Sequence, residues 1–301
     1  MIDLRRLHVL RAVAHYGTVT AAAHALHFTP SAASQQIRQL ARELGVDLLE
    51  PRGRGVRLTP AAERLLTHAD AIQARWEEAE LDLRSGRAQP TGPLHVAGFA
   101  AAVSALLAPM AARLRERHPR LTVRVREAGV PDSFDLLFEG AVELAVVEST
   151  PHNPPPGDAR FDQRPLLEEP FDLVVPEDHP LAGRDGVDLA DAAHESWIAP
   201  MPESPCRTHV MAACGGAGFT PDVVHHAVEW DVTAHLVAHR LGVALIPRLA
   251  RLTPDLPIVR VRCAGRPHRT LLTCTRRGGH QRPAVAAALA ELRTLAPTAV
   301  A

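Results

Sequence analysis

Through the first forty-five residues the apolar positions recur at helical spacing and each run stops at a joint. Leu4, Leu7, Leu10 and Val13 form one row, closed by Gly17, which tolerates the left-handed turn that ends a helix. Thr18 predicts the N-cap of a second helix, whose Ala21, Ala22, Ala25 and Leu26 let a neighbour pack closely. Thr29 followed by Pro30 predicts a third start, because the hydroxyl can accept an orphan N–H and proline loses nothing at the first helical position. This third helix has two faces. Ala33, Ile37, Leu40, Ala41 and Leu44 point inward, while Ser31, Ser34, Gln35 and Arg38 share the opposite side. Leu44-Gly45-Val46 ends it, and the run Arg52 to Arg57 reads as two short strands about a glycine turn, carrying Arg52, Arg54 and Arg57 on a projecting ribbon.

From Pro60 to Leu83 the pattern changes to a heptad seam: Ala62, Leu65, Ala69, Ile72, Trp76, Ala79 and Leu83 alternate at intervals of three and four. Such a seam predicts pairing between two copies, with Leu65, Ala69, Ile72, Trp76 and Leu83 at the interface; packing on its own domain is the alternative. The Gly/Pro-rich stretch Gly86 to Pro93 then marks a boundary. Beyond it, strand-like Leu94–Val96, helix-like Val103–Arg117 and strand-like Leu121–Glu127 and Val142–Val147 describe βαβ units and a largely parallel sheet. After the Pro151 to Pro156 loop a second series begins, with strands at Phe171–Val175, Trp197–Ala199, Val223–Val228 and Val243–Pro247 and helices near Thr208–Ala217 and Asp231–Arg240. Strands at Ile258–Val261 and Thr270–Cys274 and a helix over Pro283–Leu295 bring the chain back to the first unit, so two crossings form a hinge.

Charge sharpens this division. The 301 residues carry a net charge of −1, with Arg as the sole strong base; residues 1–60 hold eight Arg against four Asp or Glu (+4), residues 61–90 come to −2 and residues 91–301 to −3. A uniformly basic coat is excluded, and anion binding is confined to the N-terminal module. The first residues, MIDLRRLHVL, do not resemble an export signal, and the uncharged stretch Val96 to Ala112 is interrupted by Gly98 and Pro109, so the expected setting is cytoplasmic with no membrane partner. Four cysteines are too few for a disulfide framework, and free thiols are expected.

The polar face of the third helix suits base edges in a major groove: Ser and Gln exchange hydrogen bonds, and Arg reaches bases or phosphates. A solvated surface is the plain alternative. The ribbon that follows suits a phosphate backbone. The run from Gly17 through Thr29-Pro30-Ser31 to Gly45, followed by Gly53-Arg54-Gly55-Val56-Arg57-Leu58-Thr59, resembles the winged helix-turn-helix of LysR-type transcriptional regulators over about sixty residues. The resemblance implies that Thr29, Pro30, Ser31, Ser34 and Gln35 touch DNA. It differs in having Pro30 where the family often has Gln and Pro51 where it often has Arg, with Arg52 beside it as a substitute.

The fold expected is therefore an all-α-rich winged helix-turn-helix (1–59), a dimerising linker helix (60–88) and an α/β effector-binding domain (89–301). The resemblance implies that the last domain is built like a type II periplasmic binding protein, with subdomain 1 at about 93–162 and 268–301 and subdomain 2 at about 163–267. Ligands in α/β sheets gather at strand C-termini and helix N-termini, which nominates the Gly98 to Ala102 loop (Phe99, Ala100, Ala101), Glu148, Ser149, Met201, Ser204, Trp230 and Pro247. Core packing or turn formation is the alternative for each. Phe99 to Ala102 lacks the hydroxyl that family members use to grip a carboxylate. The resemblance also places Cys206 and Cys214 near the redox pair of peroxide-sensing members, and Cys206 and His209 with His225 and His226 could hold zinc; scattered core residues are preferred, with no metal and no cofactor. No Walker loop, G-x-S-x-G elbow, dinucleotide fingerprint or H-E-x-x-H helix occurs. The reading is a ligand-responsive regulator, not an enzyme, that binds operator DNA as a homodimer or homotetramer with a small-molecule effector between two subdomains. A solute-binding protein or a thiol-based redox sensor on the same scaffold is the alternative.

Overall fold

The computed structural model describes residues 3–52, 55–84, 89–151 and 153–300, in two compact units, 1–85 and 86–301. In the first unit, α1 (Leu4–Tyr16) begins at Asp3, whose carboxylate accepts from the Arg5 N–H at 2.9 Å, and ends at Gly17 with φ +77°. Thr18 accepts from the Ala21 N–H and caps α2 (Val19–Ala25); Thr29 does the same from Ala32 for α3 (Pro30–Leu44), which Gly45 closes at φ +66°. Leu7, Leu10, Val13, Ala22, Ala33, Ile37 and Leu40 fill the core between them. The wing is the antiparallel pair β1 (Leu49–Arg52) and β2 (Gly55–Leu58). The long helix α4 (Pro60–Arg84) starts from the buried Thr59, whose hydroxyl donates to the Asp47 carbonyl and accepts from the Ala62 N–H.

The second unit contains β3 (Gly92–Gly98), α5 (Ala100–Ala102), a π-helical turn (Val103–Leu107), α6 (Ala108–Arg117), β4 (Leu121–Glu127), α7 (Val130–Glu139), β5 (Leu144–Glu148) and β6 (Phe161–Pro176). After these come β7 (Ser196–Pro200), α8 (Pro205–Gly216), β8 (Asp222–Ala227), α9 (Trp230–Ala238), β9 (Ala244–Pro247), β10 (Ile258–Arg262), β11 (His268–Arg276) and α10 (Pro283–Ala299). The main sheet runs β10-β6-β11-β5-β3-β4, with β9 also on β6. Only β3 with β4 and with β5 is parallel in it; β11 and β6 are antiparallel to their neighbours, which corrects the expected largely parallel sheet. The reason is β6. Its 16 residues span both halves of the unit, pairing with β11 through Pro170 and with β9 and β10 from Phe171 onward. The segment between β10 and β11 makes the return crossing, held by the Phe171 N–H to the Pro267 carbonyl at 2.8 Å.

Apolar cores lie on either side of this crossing. One lobe packs Leu94, Val96, Leu106, Met110, Leu144, Leu271, Leu289 and Leu292; the other has Phe171, Leu173, Trp197, Val210, Cys214 and Leu245 in one cluster and Val174, Ile198, Val237 and Ile246 in a second. Leu249, just beyond β9, inserts into the first core and so ties the lobes together. Helix α7 is not anticipated by the spacing: it begins after Gly129 with no side-chain cap. The helix expected from Val103 starts three residues earlier, and the Ala108 N–H reaches back five residues to the Val103 carbonyl. Pro109, which cannot donate and whose ring would strike a regular turn, accounts for the widened π turn ahead of it.

Candidate nucleic-acid interface and inter-lobe site

On α3 the side chains of Ser31, Gln35 and Arg38 are exposed and Ser34 is half-exposed, all on the face opposite buried Ala33, Ile37 and Leu40. Thr29 and Pro30 lie exposed at the helix start, although the Thr29 hydroxyl is committed to capping and to Ser31 at 3.1 Å. Helix dipole and cap thus leave a short, uncharged N-terminal turn with one arginine two turns on, suited to approach an anionic backbone while hydrogen-bonding bases. Arg57 is exposed on the wing but pairs across it with Glu50. Arg54, and the side chain of Arg52, lie outside the described residues.

Helix α4 divides the heptad residues into two sets. Ala62 and Ala69 are buried within the unit, where Arg11 of α1 donates to Asp70 at 2.7 Å; Leu65 is half-buried. Ile72 and Trp76 remain 48% and 62% exposed and line an apolar groove of about 680 Å³ with Leu4, Leu7 and His8. The side chain of Leu83 lies outside the described residues. Ala69, though buried, also lines this groove.

The inter-lobe site centres on an arginine that sequence reasoning missed. Arg269, on β11, is 2% exposed. Its Nε donates to Glu169 Oε2 at 2.7 Å, and its Nη1 donates to Glu148 Oε2 at 3.0 Å and to the Cys206 sulfur at 2.9 Å. The guanidinium carbon lies 4.7 Å from the Phe99 ring centre and 5.9 Å from that of Phe171, within cation–π range of both. Glu148 comes from the end of β5, Glu169 from β6 at the crossing, and Cys206 and His209 from the first turns of α8 in the other lobe. His209 Nε2 stands 2.8 Å from Glu148 Oε1, and the Leu249 N–H donates to Glu169 Oε1 at 2.7 Å. Burial alone would raise the Glu148 pKa; the His209 hydrogen bond and the Arg269 charge outweigh it and hold the carboxyl below its ordinary range. Arg269 shifts upward, because the neighbouring thiol and carboxylates outweigh its own burial. A second cluster lies further along β6, where Asp172 accepts from Arg248 at 2.6 and 3.0 Å and Arg260 stands 3.7 Å away.

Of the nominated effector residues, Phe99 and Glu148 meet at Arg269. Ala101 is buried and Ala100 exposed at the α5 start; Ser204 precedes α8 without capping it through its side chain, and Met201 is exposed. Trp230 packs against the cluster that holds Val237 and Ile246, Pro247 is buried opposite Phe171, and Ser149 faces a separate proline-lined hollow of about 490 Å³. The missed signal was a charge at an inward strand position: Arg269 shares its buried face with Leu271 and Thr273. All four cysteines are free and buried, and burial pushes Cys206 and Cys214 up to about 12. Among the described residues no three His, Cys, Asp or Glu side chains are arranged to hold a metal ion, and no helix is long and apolar enough to cross a membrane.

Residues 4–63 match the model for the bacterial regulatory helix-turn-helix of the lysR family, and residues 87–297 match the LysR substrate binding domain. The chain is 28% identical to the HTH-type transcriptional regulator AlsR of Bacillus subtilis, over 85% of this chain and 84% of that one. It is 29% identical to the DNA-binding transcriptional dual regulator OxyR of Escherichia coli, over 83% and 80%. A full-length OxyR of Pseudomonas aeruginosa shares the fold with a TM-score of 0.67 at 22% identity, covering 97% of this chain and 95% of that one. With both parts matched in order, the chain belongs to the LysR family of ligand-responsive, DNA-binding transcriptional regulators and is not an enzyme.

Proposed function

We propose that residues 1–59 read double-stranded operator DNA through Ser31, Ser34, Gln35 and Arg38 of α3 and through the wing, and that residues 60–88 join two copies along the Ile72–Trp76 part of α4. Residues 89–301 sense a small molecule at the junction of the lobes. The assembly is a cytoplasmic homodimer or a homotetramer built from such pairs. The observation that carries the sensing role is the buried Glu148–Arg269–Cys206 cluster, which joins groups from both lobes at the ends of β5 and α8. A ligand that rearranges this cluster changes the relation of the lobes and so can bias DNA binding. A thiol response through Cys206 and Cys214 has less support: both thiols are held neutral by burial, and their eight-residue separation on α8 is about 12 Å, beyond disulfide reach.

The test is a mobility-shift assay with a duplex from the region upstream of the chain's own coding sequence, with and without a metabolite panel. A sequence-dependent shift that a metabolite alters, and that Ala101→Leu makes unresponsive, is the expected result. Equal retention of scrambled duplexes would place the chain among architectural binders instead.

A further inference from the structure

We infer that the inter-lobe effector presents a neutral oxygen acceptor, such as an amide or ketone carbonyl or a hydroxyl, to Nη2 of Arg269, and that a carboxylate is disfavoured there. The inference rests on the inter-lobe reading above and names the chemistry of that site. Its basis is a count of hydrogen-bonding positions. Glu169 uses Oε2 for Arg269 Nε and Oε1 for the Leu249 N–H; Glu148 uses Oε2 for Arg269 Nη1 and the Cys206 thiol, and its Oε1 stands 2.8 Å from His209 Nε2. Glu169 is thereby engaged on both oxygens and Glu148 on Oε2, while the buried Oε1 of Glu148 has the His209 ion-pair contact but no hydrogen-bond partner among the described residues. The guanidinium has used Nε and Nη1, and its Nη2 is buried with no hydrogen-bond partner among the described residues. A donor on a charged group is costly to leave unmatched away from water, so this nitrogen calls for an acceptor.

Charge then decides which kind. Around the crossing, Glu148, Glu169 and Asp172 face Arg269, Arg248 and Arg260, three acids against three bases, and His209 beside Glu148 adds a positive charge only when it is protonated. A neutral acceptor leaves this balance intact, whereas an added carboxylate introduces a buried charge with two carboxylates already on the same guanidinium. The rings of Phe99 and Phe171 also lie within cation–π range of that guanidinium. Cys206 reaches the same guanidinium, at Nη1, from α8 of the other lobe, so a ligand at Nη2 sits on the group that joins the lobes.

Acetamide and acetate are nearly isosteric and test the distinction. Crystals of the full-length protein are soaked in each at equal concentration, and saturation-transfer NMR titrations give the two affinities in solution. Acetamide oxygen within hydrogen-bond distance of Nη2 and at least a tenfold preference over acetate are expected, with the preference falling or reversing in Glu148→Gln, or in Glu169→Gln should the first variant not fold. Acetate at Nη2 of the unsubstituted protein would overturn the ligand class and leave the site standing. A water alone at Nη2 in both soaks would overturn the assignment of this position to a ligand, and with it the inter-lobe reading.

Discussion

Ser34 and Gln35 differ from Arg57 in what they can report. The first two offer directional hydrogen bonds on the α3 face, whereas Arg57 offers a charge already shared with Glu50. Alanine at Ser34 or Gln35 is expected to cost about 1–3 kcal/mol on the operator and to relax preference at particular base pairs; alanine at Arg52 or Arg54 is expected to weaken all duplexes alike. Equal losses on operator and scrambled DNA for the α3 variants would remove them from base readout. Buried charge makes the opposite kind of residue at the lobe junction. Replacing Arg269 by Met leaves Glu148 and Glu169 facing each other without their cation, and unfolding free energy should fall by about 3–5 kcal/mol. Glu148 also sets an acid limit. Its folded-state pKa lies below that of the unfolded chain, so its contribution is full above the unfolded value near pH ~4.3 and is lost as pH falls through the folded value. Thermal midpoints between pH 3 and 7 should therefore drop less steeply on the acid side for Glu148→Gln, and superimposable acid limbs would contradict this assignment.

Helices of the first unit were readable because each boundary is local chemistry: Thr18, Thr29, Gly17 and Gly45 act on their own turns, and the caps found are the caps expected. The same locality hides β6. Pro165, Glu168, Glu169 and Pro170 look like strand breakers, yet Pro165 sits where the register with β11 shifts at Leu271 and Leu272, so its missing N–H falls at an irregularity. Arg269 escaped notice for a related reason: its partners lie 63 to 121 residues away, and no spacing rule reaches that far. The heptad on α4 was visible but not its division, since periodicity cannot tell which seam residues α1 covers. Two predictions belong here. Ile72→Glu or Trp76→Glu places like charges in the exposed part of the seam and should dissociate the copies and abolish binding to a two-half-site operator; sedimentation of an intact dimer for both would refute it. Gly98→Ala puts a methyl 2.9 Å from Leu107 Cδ1 and 3.2 Å from the Val146 carbonyl, where β3 meets the π turn, and should cost about 1–3 kcal/mol in denaturant unfolding.

Across the whole molecule, positive charge is gathered in residues 1–60 and the remainder is mildly acidic, so long-range attraction to DNA draws on one end of the chain while the proposed sensing site belongs to the other unit. An effector can act across that separation only through different affinities for two arrangements of the lobes, each favouring a different DNA-bound state. Helix α8 is attached to the first lobe through Cys206 and His209, while Leu249 and the Arg248 to Val300 carbonyl bond hold the other side of the crossing. If α8 is the moving contact, His209→Ala should alter the effector response and leave basal operator affinity unchanged. Because the coupling is a single free energy, operator DNA must change effector affinity by the same factor by which effector changes operator affinity. Calorimetric titration of the effector with and without operator measures the first factor, and a mobility-shift titration with and without effector measures the second. Equality is expected; effector binding that is identical with and without operator, under conditions where the effector alters transcription, would place the switch outside DNA affinity and in a later step such as bending of the bound operator.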